Sequence, residues 1–406
     1  MQVALSHDIP ERQHYAALAE TWAQDLAAAN EPDFAHSYWQ LAADWHRKSG
    51  NEEESLRCVI AGAEGSISAI EQNLANKKIG FGTASYWMGK ALYELRQAKA
   101  DRKRVNEVHR RFLELQKLSL SELGTLNFDP NKIPGFKDSQ EQTQDAATAH
   151  VSSLSFADAI MRFAHITEPT DVASLRAEQA RLSEELIWDK LTASQVLDFS
   201  GKVSDKMPSM GLTPSEADEV ILRKKLVKSA SETTWPIEVI WKIEPARIAI
   251  LKEHPIRTRD LLFLVTNNPF IPSGHEGIYL RGLQAGFFGD WLVTMHLLIP
   301  QIESSLRHVL QQHEIVTSTL EADGTQKERD LNQLLWMPEI EGIMGPNITF
   351  DLRGILIERF GHNMRNESAH GLMPEGAFYQ PASVYLWWLL IRLCWEGYKL
   401  VRPLEE

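Results

Sequence analysis

The chain has 406 residues, 43% of them hydrophobic, and a net charge of −13. This length predicts two or three domains, and the acidic balance excludes a surface that coats nucleic acid non-specifically. No segment reaches the roughly 18 uninterrupted apolar residues of a membrane span, because the most apolar run, 384–394, is short and contains Arg392. The two cysteines, Cys58 and Cys394, are too far apart in sequence to indicate a disulfide framework or a zinc site.

The sequence shows neither an export signal nor a cofactor motif. Residues Met1 to Asp8 have no basic leader and no apolar core, which predicts that no signal peptide is present. The prediction is a cytoplasmic protein without a membrane partner. The chain contains no glycine-rich phosphate loop and no H-E-x-x-H zinc motif, and no Ser-His-Asp triad can be recognised, so we predict no cofactor and no metal.

Helix-period patterning dominates the chain and alternating strand patterns are scarce, which predicts an all-α fold. In the N-terminal region, 1–125, helices are predicted over His14–Ala29 and Glu52–Leu74, on either side of a third helix that Gly50 ends. The phrase Ala-His-Ser-Tyr-Trp at 35–39 returns as Ala-Ser-Tyr-Trp at 84–87. These two imperfect copies fit stacked helical hairpins of the tetratricopeptide kind or an irregular helical bundle, and both alternatives stay open.

Glycine, asparagine, proline and aspartate cluster between Leu123 and Gln144, where the helical periodicity lapses, so a domain boundary is predicted there. A middle helical domain is predicted over 145–268, without a catalytic constellation. Its helices are expected to be joined at Pro208, Pro214, Pro236, Pro245 and Pro255. Its tryptophans Trp188, Trp235 and Trp241 are predicted to be core anchors.

Two basic runs, 99–111 and 223–228, are the local patches that could meet RNA in an acidic protein. Charge runs of this length usually form a solvated helix face, and that interpretation is favoured here over a binding groove.

The C-terminal domain is predicted over 269–406. Asp290 is placed to cap a helix from Trp291 to about His313, in which Glu303 and Arg307 are four residues apart and share a face. A helix from Phe350 to about Ala369 follows, and Gly371 and Pro374 are expected to stop it. The final helix, Pro381 to about Leu400, is apolar on nearly every side, which predicts burial by its own domain and by a partner.

The segment Arg365–Gly371, Arg-Asn-Glu-Ser-Ala-His-Gly, pairs a fixed cation with a titratable imidazole, His370. An arginine followed by a histidine five to seven residues later also occurs at Arg102/His109, Arg104/His109, Arg247/His254 and Arg307/His313. The adjacent Asn366, the helix-ending Gly371 and the helix that carries Glu303 distinguish this copy from the other four.

When RNA is cleaved by attack of its own 2′-hydroxyl on the adjacent phosphorus, the reaction needs a base, an acid and a group that stabilises the negative charge of the phosphorane. An imidazole such as His370 serves as base or acid, and Arg365 grips phosphate oxygens with two N–H groups. Asn366 is expected to orient these side chains, and Glu303, paired with Arg307, is the carboxylate expected to hold Arg365.

On one continuous helix, residues five apart point about 140° away from each other. Either the helix ends near His370, or two subunits supply facing copies of the motif across a two-fold axis. The structural alternative is that Arg365 pairs with Glu303 or Glu358 as a buried bridge, while His370 caps the helix C-terminus. His362, eight residues before His370, is expected to satisfy a local turn.

Three phrases, Thr266–Phe270, Leu298–Arg307 and Met364–Gly371, resemble a bacterial family whose C-terminal domain belongs to the HEPN superfamily. The resemblance covers about a quarter of the chain, from about Asn267 to Leu372, and is most specific in its last phrase. It implies a bundle of four or five helices that dimerises with its arginine and histidine at the interface.

Many HEPN proteins are metal-independent endoribonucleases in toxin, abortive-infection and CRISPR-linked defence. The resemblance therefore implies catalysis by Arg365 and His370 on RNA, an antitoxin or defence partner, and a regulatory N-terminal region. The acidic balance predicts tight discrimination of the substrate, which suits a structured RNA such as tRNA. The family has a hydrophobic residue before the arginine, and Met364 keeps that character. About 260 N-terminal residues lie outside the HEPN unit. Other HEPN domains have lost catalysis, so the alternative is an inactive dimer that binds nucleotides or serves as a protein-interaction scaffold.

Overall fold

We analysed a computed structural model of the protein, which describes residues 12–124, 135–185, 193–198, 200–209 and 217–401. The chain is 74% helical and 4% strand, which confirms the all-α class. No helix in the described ranges is long and apolar enough to cross a membrane. The predicted features at Met1–Asp8, Trp188 and Pro214, and the centre of the predicted boundary at 125–134, lie outside the described residues.

The described residues form two compact units. The first unit comprises Met1–Asn127 with Ser200–Val203, and the second comprises Phe128–Phe199 with Ser204–Glu406.

The first unit is built from helices that each pack chiefly against the next helix in sequence. They are α1 (Arg12–Ala28), α2 (Pro32–Lys48), α3 (Glu52–Ala75), α4 (Phe81–Gln97) and α5 (Arg102–Ser119), followed by a 3-10 turn, Leu120–Glu122. Packing between sequence neighbours is typical of stacked helical hairpins. The tetratricopeptide assignment itself stays a prediction.

The repeated phrase does not place its tryptophan at the same helical position in α2 and α4. Ala35 and Ala84 are both buried at the fourth position of their helices, but the phrase in α4 is one residue shorter. Trp39 therefore faces the core with 9% of its surface exposed, whereas Trp87 is turned outward with 47% exposed. The sequence likeness marks equivalent helices, and their aromatic side chains have different environments.

Two of the six cations in the first basic run form ion pairs on the surface of α5. Arg104 donates to Glu64 through Nε and Nη2 at 2.8 and 2.7 Å, and Arg111 donates to Glu71 at 2.8 and 2.9 Å. Such pairs compensate the charges that a phosphate would need, which favours the solvated-face interpretation.

The second unit begins with α6 (Phe136–Val151), α7 (Phe156–Ala164), α8 (Val172–Glu185), α9 (Ala217–Ser229), α10 (Trp235–Glu238), α11 (Glu244–Glu253), a 3-10 turn (Thr258–Leu261) and α12 (Leu262–Val265). Strands β1 (Ser194–Leu197) and β2 (Val203–Met207) pair between α8 and α9.

Two of the prolines expected at helix joints lie instead in a helical run from α9 to α11. Pro236 and Pro245 each follow a π-helical turn, Ala230–Thr234 and Val239–Ile243. A π turn widens the helix, and this accommodates the missing N–H group and the ring of a proline. Pro255, in contrast, stands just beyond the end of α11, as predicted.

The second half of this unit contains α13 (Glu276–Phe287), α14 (Trp291–Gln312), α15 (Leu331–Leu335), α16 (Pro338–Met344), α17 (Pro346–Leu356), α18 (Met364–Ala369), a 3-10 helix (Glu375–Tyr379) and α19 (Pro381–Val401). The predicted cap of α14 is present, because Asp290 accepts the backbone N–H of Val293 at 3.1 Å. A hairpin of β3 (Ser318–Leu320) and β4 (Gln326–Glu328), which the sequence did not predict, pairs antiparallel with Thr319 opposite Lys327.

One hydrophobic core contains side chains from both sides of the predicted boundary at 268. Asp351 on α17 is fully buried in it and accepts hydrogen bonds from Trp235 Nε1 (2.9 Å), the Thr170 backbone N–H (3.0 Å) and Tyr385 Oη (2.8 Å). Burial raises the pKa of the Asp351 carboxyl. The donors come from both predicted domains, 145–268 and 269–406, and the boundary between these domains stays a prediction.

The final helix, α19, is buried by its own unit. Leu386, Trp387 and Trp388 are fully buried, and the Nε1 atoms of the two tryptophans donate to Leu283 O and Phe163 O at 3.0 Å. Trp235 is fully buried as predicted, and Trp241 is partly buried against the ring of Phe136. The apolar character of α19 is thus accounted for without a partner.

The second basic run, on α9, is also paired. Arg223 lies 3.0 Å from a carboxylate oxygen of Glu358, Lys224 donates to Asp205 at 2.9 Å, and Lys225 is buried. This run therefore does not form a groove of free cations among the described residues.

Candidate active site at helix α18

The predicted continuous helix from Phe350 to Ala369 is wrong, because the chain breaks between α17 and α18. The backbone of Gly361 approaches Gly354 so closely that a Cβ on Gly361 would lie 1.9 Å from the Gly354 oxygen. The next residue, His362, donates its N–H to the same oxygen at 3.1 Å. Asn363 then takes a left-handed conformation, φ 46°, and α18 starts at the next residue.

The Arg-Asn-Glu-Ser-Ala-His-Gly motif occupies α18 and its C-terminal end. Ala369 is the last helical residue, His370 is the C-cap, and Gly371 has a φ of +65°, where glycine is favoured. Of the two geometries that the sequence left open, a helix that ends at His370 is therefore present. The second, a site completed by another subunit, stays a prediction.

Arg365 is held by two acceptors in a partly buried position. Its Nη2 donates to Glu303 Oε2 at 3.3 Å, and its Nη1 donates to Asn366 Oδ1 at 3.1 Å. The Arg365 and Glu303 side chains are 25% and 21% exposed. The other oxygen of Glu303 accepts from Arg307, so one carboxylate from α14 holds two guanidinium groups. Glu358, the alternative partner of Arg365, pairs with Arg223 instead.

Asn366 connects Arg365 to two asparagines that the sequence did not single out. Its Nδ2 donates to Asn363 Oδ1 at 2.7 Å, and Asn366 and Asn332 exchange hydrogen bonds at 3.4 Å. Asn363 in turn donates to Glu367 Oε1 at 3.1 Å. The network orients the amide of Asn366 with its oxygen towards Arg365. Glu367 lies within the motif, whereas Asn332 is 34 residues away, so only the tertiary structure identifies that contact.

His370 is exposed, and its backbone N–H donates to Asn366 O at 3.1 Å. Among the described residues its imidazole forms no hydrogen bond or ion pair. The structure thus gathers Arg365, Asn366, Glu303 and Arg307 into one network and leaves the His370 ring at the surface beside it. A fixed guanidinium next to an accessible imidazole provides an electrostatic clamp and a proton carrier.

His362 is a partly buried histidine that packs beside the core. Its ring centroid lies 5.8 Å from that of Trp235. Burial lowers the pKa of His362 to about 4, while a hydrogen bond with Gln380 acts in the opposite direction. His362 is therefore neutral near pH 7 and is poorly placed to carry protons for a reaction at His370.

The low pKa of His362 predicts a loss of stability in mild acid. The unfolded imidazole binds a proton near its ordinary pKa of about 6.5, whereas the folded one resists protonation until about pH 4. Its contribution is fully present above pH 6.5 and is lost as the pH falls towards 4, by about 2.5 kcal/mol between pH 7.5 and 4.5. Urea unfolding of the wild-type protein and His362→Gln at both pH values measures this difference.

His313→Gln, at an exposed histidine of the same unit, provides the control and should follow the wild-type pH dependence. If the free energy of unfolding had the same pH dependence in the wild-type protein and in His362→Gln, the His362 ring would be protonated in the fold without a free-energy cost.

Among the described residues, one group of side chains outside the motif has a composition suited to a metal. The side chains of Glu20, His46 and Cys58 in the first unit place one potential ligand atom each within 4.8 Å of one another. Glu20 is already bound on both oxygens, by His46 Nε2 at 2.6 Å and by Arg57 at 2.5 Å. Burial raises the pKa of Cys58 to about 12, so its thiol stays protonated. The positive charge of Arg57 also disfavours a cation there.

Comparison with known proteins returned no matching family model, no matching curated protein and no matching solved structure. The functional assignment therefore depends on the motif and on the contacts that its side chains make.

Proposed function

We propose that this protein is a metal-independent endoribonuclease of the HEPN type, with Arg365 and His370 as its catalytic residues. The observation that supports this proposal most strongly is the fixed position of Arg365. Glu303 and Asn366 hold its guanidinium beside a helix end that exposes His370. A cation fixed before the substrate binds needs little reorganisation when charge develops on a phosphate.

In the proposed reaction, a base removes the proton of a ribose 2′-hydroxyl, and the freed oxygen attacks the adjacent phosphorus. The bond to the 5′-oxygen breaks, an acid protonates that oxygen, and the products are a 2′,3′-cyclic phosphate and a 5′-hydroxyl. The His370 imidazole supplies or accepts the proton. Arg365 stabilises the negative charge on the non-bridging oxygens through charge-assisted hydrogen bonds.

Two copies of the motif complete the proposed site. Within one chain Arg365 and His370 form no mutual hydrogen bond among the described contacts, and five residues of helical geometry point their side chains about 140° apart. A homodimer through residues 269–406 would place the arginine of one subunit opposite the histidine of its partner. Mass measurement in solution tests this arrangement, and a strict monomer that cleaves RNA would contradict it.

The proposed setting is bacterial anti-phage defence or a toxin system. The net charge of −13 argues against indiscriminate binding and favours a structured RNA such as tRNA. In this proposal the N-terminal region regulates the nuclease, and an antitoxin or defence partner restrains it. The second candidate is a catalytically silent HEPN dimer that binds a nucleotide or serves as a scaffold. The bridge from Glu303 to Arg307 and Arg365 favours that candidate because it would also stabilise the fold.

Arg365→Ala and His370→Ala are each expected to reduce RNA cleavage at least about 100-fold, because each removes one proton-transfer or charge-stabilising group. The assay incubates the purified full chain with a tRNA pool and follows end-labelled fragments on gels. Bacterial growth and RNA integrity after expression of the full chain provide a second readout. A chelator of divalent cations should leave cleavage intact.

Arg281→Ala and His313→Ala are matched controls at exposed positions of the same unit and should cleave like the wild-type protein. Wild-type rates in both motif variants would exclude the enzymatic assignment. Folded wild-type dimers that leave RNA intact in both assays would favour the silent scaffold.

A further inference from the structure

A cavity of about 170 Å³ lies directly beside the motif, in the second unit. Its wall is formed by the segment 196–198 with Ser204, by Arg359 and residues 361–364, by Glu367 of α18, and by Met373, Ala377 and Gln380. Residues on both sides of the motif in the sequence thus line the cavity. Any small molecule bound there would touch the loop between α17 and α18.

The hydrogen-bond network of Arg365 leads into this cavity. Arg365 donates to Asn366, Asn366 donates to Asn363, and Asn363 donates to Glu367 Oε1, each through a side-chain amide or guanidinium N–H. This sequence of donors fixes the Asn363 amide with its nitrogen towards Glu367. The second carboxylate oxygen, Glu367 Oε2, is buried and has no hydrogen-bond partner among the described residues.

A buried acceptor without a donor destabilises the fold, and a ligand that supplies an N–H group would recover that cost. The charged side chains of the wall are Asp198 and Glu367 with one cation, Arg359, whose Nη1 donates to Ser204 O. This acidic balance disfavours a phosphate inside the cavity. It suits a neutral, flat group that is rich in N–H donors.

Guanine has these properties, because its N1–H and exocyclic amino group point in the same direction and can donate to one carboxylate. Proteins that recognise single-stranded RNA commonly read a splayed base by hydrogen bonds to its Watson–Crick edge. Glu367 and His370 are three residues apart at the end of α18, so their side chains are neighbours on the helix surface. A base held at Glu367 would place its ribose close to the proposed proton carrier.

We infer that this cavity binds a guanine base next to the scissile phosphate, with the carboxylate of Glu367 accepting its N–H groups. The inference rests on the proposed ribonuclease function and adds base specificity to it. In the proposed dimer, Glu367 reads the base beside His370 of the same chain, and the arginine of the other subunit holds the scissile phosphate.

The first test measures binding alone, without cleavage. Isothermal titration calorimetry of the full chain with guanosine, inosine, adenosine, cytidine and uridine should show at least a 10-fold preference for guanosine over the last three. Inosine, which lacks the exocyclic amino group, should bind more weakly than guanosine. Glu367→Gln replaces one acceptor oxygen by a donor and should weaken guanosine binding at least 10-fold. Glu375→Gln, at an exposed carboxylate outside the cavity, should leave it unchanged.

A second variant keeps the inference testable if Glu367→Gln does not fold. Met373→Phe adds bulk to the cavity wall without touching the hydrogen-bond network, and it should also abolish guanosine binding. Guanosine binding that survives both folded variants, or the absence of a preference for guanosine in the wild-type protein, would overturn the inference.

Cleavage of RNA oligonucleotides that differ in one base separates this inference from the proposed function. The wild-type protein should prefer cleavage next to guanine, and Glu367→Gln should lose that preference. RNA cleavage without base preference and without guanosine binding would contradict only the guanine site. Guanosine binding that depends on Glu367, in a protein that leaves RNA intact, would support the cavity as a guanine site and contradict the ribonuclease.

Discussion

Asp351→Leu is expected to lower the free energy of unfolding by about 4 kcal/mol. Asp351 is fully buried and accepts hydrogen bonds from Trp235 Nε1, the Thr170 backbone N–H and Tyr385 Oη. Leucine has a similar size but no acceptor, so the Thr170 N–H and Tyr385 Oη lose their acceptor, each at a cost of roughly 1–3 kcal/mol. Trp235 Nε1 loses its bond to the carboxylate and keeps the one to Thr170 Oγ1 at 3.1 Å. Leucine also removes the cost of burying the Asp351 carboxylate, and this gain offsets part of the lost stability. Urea unfolding followed by tryptophan fluorescence measures the change.

Asp145→Leu, at an exposed aspartate on α6 of the same unit, is the matched control and should change stability by less than about 0.5 kcal/mol. A double-mutant cycle with Trp235→Phe makes the test specific for the hydrogen bond. The phenylalanine removes one of the three donors, so the cost of Asp351→Leu should be smaller in that background. If Asp351→Leu lowers the free energy of unfolding equally in the wild-type and Trp235→Phe proteins, the hydrogen bond between Trp235 and Asp351 contributes no stability.

Sequence patterns predicted the long helices of the second unit well. Asp290 followed by an apolar run predicted a helix from Trp291 to about His313, and α14 spans Trp291–Gln312. The apolar run after Pro381 predicted a helix to about Leu400, and α19 spans Pro381–Val401. These helices have a cap or a strong apolar pattern within their own residues, so local information is sufficient.

The sequence did not predict features that depend on distant contacts. Helical periodicity runs through 350–369, yet the helix breaks because the backbones of Gly354 and Gly361 touch. The strands β3 and β4 were missed because they are three residues long and largely exposed, without an alternating apolar pattern. Only the turn between them has a sequence signal, the pair Asp323-Gly324, and Gly324 there has a φ of +85°.

In the candidate site, too, some contacts could be predicted from the sequence and others depend on distant parts of the chain. The chemistry of Arg365 and the four-residue spacing of Glu303 and Arg307 suggested that these charges meet, and in the structure Glu303 bonds both arginines. Asn332 and the unpartnered oxygen of Glu367 could not be inferred, because their significance depends on how the chain folds around α18. Residue types thus indicate candidate chemistry, and the tertiary contacts decide which atoms remain available to a ligand.

Gly361→Ala is expected to lower the free energy of unfolding by about 3 kcal/mol and to reduce RNA cleavage strongly. The added Cβ would lie 1.9 Å from the Gly354 oxygen and 3.0 Å from Val227 Cγ1. The oxygen belongs to the backbone of α17, so no side-chain rotation relieves the clash, and the loop must move. That movement would displace Asn363 and the start of α18, which carry the hydrogen bonds that orient Arg365.

Gly342→Ala is the matched control, because Gly342 lies in α16 with nothing within 4 Å of its added Cβ. Alanine should stabilise that helix by up to about 1 kcal/mol and leave cleavage unchanged. Urea unfolding and the tRNA cleavage assay compare the two variants at a temperature where both are folded. If folded Gly361→Ala loses cleavage while Gly342→Ala keeps it, the break between α17 and α18 positions Arg365. Wild-type stability and cleavage in Gly361→Ala would contradict a fixed backbone contact and leave Glu303 alone to position Arg365.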